Sequence, residues 1–122
     1  IIGINFVNVD YVYIDMSFRV DINSSFNTET VRRNIQTQIA KYLDFRYWQP
    51  GEKVEWDELL QIVKNIDGVR YVPDSNFSPS SDIEVGFGEL PRVRDFKMYD
   101  LNGNILFDSN NDALEIFYQF NS

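Results

Sequence analysis

No histidine and no cysteine occur among the 122 residues of this chain. Their absence removes the side chains that most often serve near neutral pH as general base, thiol nucleophile or soft metal ligand. Without histidine, a hydroxyl nucleophile would depend on a carboxylate, a lysine or a perturbed tyrosine to take its proton. Ser24, Ser25, Ser78, Ser80 and Ser81 all stand in turn-like contexts and read as loop hydroxyls. The lack of cysteine also excludes a disulfide framework, which suits an intracellular or virion setting. No stretch approaches the roughly 18 uninterrupted apolar residues of a membrane span, and the start carries no signal-peptide pattern. The first residue is Ile1 rather than Met, as expected of a piece of a longer polypeptide.

Positive charge is also scarce. Eleven bases face 19 acids, for a net charge of -8. Such a chain is repelled by phosphate backbones and by anionic membranes, so neither nucleic acid nor a membrane is expected as a partner. The imbalance is local: from Glu29 to Arg46 two acids meet four bases, whereas from Glu52 to Asp67 five acids meet two. A cationic first helix and an anionic second one fit salt-bridged neighbours, complementary surfaces on adjacent subunits, or simply solvated faces.

What is present suits one domain, long enough to bury about 65% of the surface its unfolded form exposes. The aromatic share of 16%, with 10 Phe, 7 Tyr and 2 Trp, exceeds what a small core requires. Some rings are therefore expected at a partner surface, although Tyr and Phe also favour strands. Tyr47, Trp48 and Trp56 cluster around the turn at Pro50-Gly51, and Phe77 sits in a polar loop. These four are the candidate interface residues. The alternative for the rings near Pro50-Gly51 is a satellite cluster under the loop.

From Val12 to Ile22 every second residue is apolar, which predicts a long strand with one buried face. Asn27 or Thr28 is placed to cap a helix whose stripe is Val31, Ile35, Ile39, Tyr42 and Leu43. After Pro50-Gly51 a second helix fits Trp56 to Asn65, with Leu59, Leu60, Val63 and Ile66 facing inward. Gly68 stands where a helix C-terminus takes a left-handed residue, and Val69 to Val72 then alternates like a strand. Residues 73–81 read as a loop, and Ile83 with Val85 as a brief strand. Arg92 to Tyr99 and Asn104 to Phe107 flank an Asn-Gly turn signal and predict a hairpin. Ala113 to Phe120 fits a short terminal helix or a frayed strand. The expected fold is α+β, with two helices packed on one face of a mainly antiparallel sheet in the order strand, helix, helix, strand, hairpin. The opposite sheet face, carrying Tyr, Arg and Asp, is then either solvated or a docking surface.

The remaining candidates for chemistry have plain structural readings. Asp82 with Glu84 would share a strand face as a carboxylate pair, but also fits a charged sheet edge. Asp57 and Glu58 place negative charge where a helix N-terminus favours it. Asp108-Ser109-Asn110-Asn111-Asp112 matches the opening of a calcium loop, then fails at Ala113 and Gln119, so a turn and helix cap fits better. Gly86-Phe87-Gly88 lacks the rest of any phosphate-binding fingerprint and reads as a bend. No catalytic, cofactor or metal residue is assigned, and no enzyme activity is expected.

The long strand Val12 to Ile22, the helix ending at Tyr42-Leu43, Gly51-Glu52-Lys53-Val54, Leu59, Ile62 and the stop Ile66-Asp67-Gly68-Val69 together resemble the C-terminal domain of baseplate wedge (baseplate J-like) proteins of contractile phage tails. Arg94-Asp95-Phe96 and Asp100-Leu101-Asn102-Gly103-Asn104 are similar to the strand and hairpin that close such a domain. The likeness runs from about Val9 to Asp108 and leaves out the loop 73–81 and the tail after Asn110. It implies a non-enzymatic structural subunit of the virion, assembled in the host cytoplasm, which contacts other copies of itself and other wedge proteins to build the baseplate ring. A homo-oligomer in the assembled particle follows from the same likeness. The rival reading is an α+β binding module that holds a peptide or small ligand against its sheet.

Overall fold

The alternation that begins near Val12 does produce a strand, but Val20 divides it. In a computed structural model of the chain, which describes residues 10–44, 48, 51–114, 116 and 117, strand β1 spans Asp10–Arg19 and a two-residue strand β2 spans Asp21–Ile22. Ile14, Met16, Phe18 and Val20 point inward, so the apolar face survives the break. Helix α1 (Thr28–Tyr42) starts at Asn27, whose side chain accepts the Thr30 N–H at 3.0 Å. It ends at Leu43, which donates its N–H to the Ile39 carbonyl at 3.1 Å. After β3 (Lys53–Val54) comes α2 (Trp56–Lys64), with Asp57 and Glu58 in its first turn and Leu59, Leu60 and Val63 buried.

Gly68 adopts the expected positive φ, +95°. Its carbonyl accepts the Asn23 N–H at 2.7 Å, which draws β4 (Val69–Tyr71) alongside β2. Strand β5 (Ile83–Glu84) pairs with β3. Strands β6 (Glu89–Tyr99) and β7 (Ile105–Asp108) form the expected hairpin. In its turn the Asp100 carboxylate accepts the N–H groups of Asn102 and Asn104 and the Asn104 side-chain amide, while Gly103 takes φ +88°. These three bonds hold the Asp100 carboxyl below its usual range, the Asn104 side chain contributing most.

The α+β class and the two helices are as the sequence predicts, and three of the four strand pairings among the described residues are antiparallel. The longest pairing is the exception to that antiparallel majority. β1 and β6 run parallel over their whole lengths, and the main sheet has the mixed order β1-β6-β7. Parallel neighbours need a crossover connection, and here both helices and the intervening short strands supply it. A bulge at Arg94 shifts the register, from Ile14 opposite Val93 to Asp15 opposite Asp95. Inward residues of β6 are therefore Val93 before the bulge and Phe96 and Met98 after it.

One buried cluster joins these strands to Val31, Ile35 and Ile39 of α1 and to Leu59, Leu60 and Val63 of α2. At its centre the Phe96 ring meets Phe18 edge-on at 5.6 Å, Phe107 at 5.8 Å and Phe117 at 5.1 Å. Leu114 and Phe117 thus belong to the core, while much of the predicted terminal element 113–120 lies outside the described residues.

Candidate interaction surface

The alternation that buries Ile14, Met16 and Phe18 turns Tyr11, Tyr13, Asp15, Ser17 and Arg19 to the other side of the sheet. On β6, Arg92 and the bulged Arg94 come up beside them. The Arg92 guanidinium lies 5.0 Å from the Tyr11 ring centre, and that of Arg94 lies 5.2 Å from Tyr13. The two tyrosine rings are 6.2 Å apart. Arg94 also grips Asp15 with a two-point contact, Nη2 to Oδ2 at 2.8 Å and Nε to Oδ1 at 3.1 Å. That contact holds the Asp15 carboxyl below its usual range. Both partners remain about half exposed, so the pair adds little stability; it fixes the direction of the Arg94 head instead. Tyr13 keeps 49% of its surface exposed. The result is a rigid strip of two tyrosines and two arginines on the outer face of β1 and β6. Tyrosine and arginine are enriched among the residues that dominate protein interfaces: tyrosine offers a broad apolar ring with a polar tip and little conformational entropy to lose, and arginine a planar, charged fork that stacks on rings.

The edge of β1 adjoins this strip. Ser17 exchanges both backbone bonds with Ser78, at 2.8 and 3.1 Å, on the side of β1 away from β6. Asp10 and Val20, in contrast, bond towards the β6 side through Gly88 and Tyr99. Even-numbered residues of β1 therefore address β6, and odd-numbered ones address the opposite edge, which among the described residues is bonded at Ser17 alone.

The four interface candidates from the sequence fare differently. Phe77 is corrected: it is 3% exposed and stacks on Phe18 with ring centres 5.3 Å apart. The loop 73–81 is polar in composition, but the bridge between Ser78 and Ser17 pulls it across β1 and tucks the ring into the core. Trp48 is half-buried with its ring edge-on to Tyr42 at 5.8 Å, as the satellite-cluster alternative has it. Trp56 is half-buried against the core at the first turn of α2. Tyr47 lies outside the described residues.

The carboxylate candidates also separate. Asp82 precedes β5 and serves α2, accepting the Trp56 N–H at 3.1 Å and pairing with Lys53 at 3.2 Å. It supplies the cap that Glu55, with no side-chain bond of its own, does not. Those contacts, the Trp56 bond first, hold the Asp82 carboxyl below its usual range. A group whose folded-state pKa is depressed adds stability above its unfolded value near 3.9, and that stability is lost as pH falls through the folded value. Asp82→Asn is accordingly expected to lower stability at neutral pH, with the difference from the parent chain closing as pH falls through the folded value; urea melts from neutral pH down into the acid range check it. The Asp108 side chain accepts the Asn110 N–H at 2.9 Å and so closes its own turn. Phe87, at 83% exposure, stands on the bend formed with Gly86 and Gly88.

Tyr11, Tyr13, Arg92 and Arg94 are not among the interface residues expected from the sequence, which points only to a sheet face carrying Tyr, Arg and Asp. Their signal is present as the odd-numbered positions of the alternating strand and the paired arginines two apart on β6. No family model matches the chain, and no curated protein matches it.

Proposed function

We propose that the chain is a non-catalytic assembly domain of a contractile phage tail baseplate wedge, which meets other copies and other wedge proteins to build the baseplate ring. In this reading both helices cover the inner face of β1 and β6 and leave the outer face to partners. The single core cluster that draws on both helices and on the inward residues of β1 and β6 supports that arrangement. The observation that carries the function is the Tyr11, Tyr13, Arg92 and Arg94 strip, where rings and guanidinium groups stack in a pre-ordered array, Tyr13 and Arg94 exposed and Tyr11 and Arg92 half-buried. Holding such side chains in place before binding reduces the entropy lost at a docking surface. The resemblance of the segment from Gly51 to Val69 and of the 94–104 hairpin to wedge domains supplies the identity of the partners.

The test uses the parent protein in the host that encodes it. Tail particles are purified and their proteins identified by mass spectrometry, with the parent sequence and with the double substitution Tyr13→Ala, Arg94→Glu. The parent is expected in the particles, and the variant is expected to fold but to be depleted at least about tenfold, the scale on which hot-spot losses act. Absence of the parent from tail particles would sink the baseplate reading. Undiminished incorporation of the variant would remove this strip as the contact. A titratable peptide or small ligand found on the sheet of a strictly monomeric parent would favour the binding-module reading.

A further inference from the structure

We infer that two copies of this chain pair edge to edge through β1, antiparallel about Tyr13, to form one continuous sheet across a twofold axis. The inference rests on the strand geometry and stands whether or not the baseplate reading does. Because Ser17 bonds outward, the period of two places the N–H and C=O of Tyr11, Tyr13 and Asp15 on the same free edge. Among the described residues no hydrogen bond reaches those backbone groups from that side. Exposed edges are usually blunted by a proline, an edge lysine or a bulge. Here the segment Tyr11–Asp15 holds neither proline nor lysine, and the bulge of the sheet lies on β6. Within the molecule an antiparallel segment already uses this edge, at Ser78.

Self-pairing also satisfies the side chains. With Tyr13 opposite Tyr13 of the second copy, Tyr11 falls opposite Asp15 and Asp15 opposite Tyr11, each pair exchanging both of its backbone bonds. The window ends one such pair before Ser17, where Ser78 holds the edge. On the outer face the arginine-bound Asp15 then sits beside Tyr11 and the Arg92 stacked on it, so opposite charges become neighbours and no like charges face each other. On the inner face Val12 lies opposite Ile14, extending the apolar layer and covering the half-buried Val12. An edge paired with itself in this way closes as an isologous dimer and needs no second surface.

The experiment measures mass against concentration for the purified chain by sedimentation, together with residue-resolved amide hydrogen exchange. The expected result is a concentration-dependent dimer of the 14.4 kDa chain in which the amides of Tyr11, Tyr13 and Asp15 gain protection as the dimer forms. Tyr13→Pro removes the central outward donor at an edge position where proline is tolerated, and is expected to raise the dimer dissociation constant at least about tenfold. If that variant does not fold, exchange on the unaltered chain decides the matter. A chain that stays monomeric to about millimolar concentration, where no affinity worth the name remains, overturns the inference. So does a dimer in which those three amides exchange as fast as in the monomer, or a folded Tyr13→Pro chain that dimerises like the parent.

Discussion

Phe96→Ala is expected to lower the free energy of unfolding by about 3–5 kcal/mol, the cost of emptying a phenylalanine site that cannot collapse. Phe96 is fully buried and touches three other rings, those of Phe18, Phe107 and Phe117. Two of these come from β1 and β7, strands paired with β6 on either side, so neither can move into the void without breaking a ladder. The backbone at this position is retained in the variant, since the Phe96 N–H donates to Ser109 Oγ at 3.0 Å whatever the side chain. The loss is therefore a packing loss, and it is a large part of the roughly 5–15 kcal/mol that holds a typical domain together. Phe87→Ala is the control: its ring is 83% exposed and its removal is expected to cost less than about 0.5 kcal/mol. Urea unfolding of both variants checks the pair. A Phe96→Ala cost near that of Phe87→Ala would mean that the four-ring cluster is not the centre of the core.

Much of this fold could be read from local chemistry. Alternation located β1, the caps and stripes located both helices, and Asn102-Gly103 located the hairpin, because each signal depends on neighbours within a few residues. The parallel pairing of β1 with β6 depends on residues some 80 positions apart, and nothing in either strand encodes its direction. Alternation reports which face is buried and is the same for parallel and antiparallel partners when one face stays open. The division at Val20 was hidden for the same reason. Val20 continues the alternation perfectly, yet its N–H bonds to Tyr99 while Asp21 turns away to pair with Tyr71.

The candidate surface was legible as a face and not as residues. The alternation says that Tyr11, Tyr13 and Asp15 share a side, but the bulge decides what they meet. On β6 the inward residues change from odd to even numbers across Arg94, so the outer face collects Arg92 and Arg94 and then Asp95 and Lys97. The sequence shows this as two positions, Arg94 and Asp95, rather than one between the apolar Val93 and Phe96. Phe77 failed as an interface residue for the opposite reason. Its neighbours Ser75, Asn76, Ser78 and Ser80 describe a solvated loop, and only the pairing of Ser78 with Ser17, 61 positions away, shows that the ring is pulled inward.

The glycine that ends α2 faces a sharper demand than a turn alone imposes. Gly68→Ala is expected to destabilise the chain by roughly 2–5 kcal/mol, from two separable costs. The first is conformational: at φ +95° a side chain crowds the backbone, at about 1–2 kcal/mol. The second is steric. A Cβ at Gly68 would lie 2.8 Å from Val31 Cγ2 and 2.9 Å from the Phe26 ring. Phe26 is partly exposed and can swing aside, but Val31 is buried in the face of α1 and cannot, so overpacking adds about 1–3 kcal/mol. Gly88 separates the two costs, since it has φ +79° and nothing within 4 Å of where a Cβ would stand. Gly88→Ala should therefore show the conformational cost alone. Thermal and urea melts of the two variants give the steric cost by difference. Equal losses would mean that the chain reversal at Gly68 needs only a left-handed residue, and that α1 and β4 are not packed tightly there. A larger loss at Gly68 would show that the stop between α2 and β4 is also the point at which β4 is pressed against α1. Because β4 pairs with β2 directly after Val20, strain at this point reaches the place where the chain leaves β1.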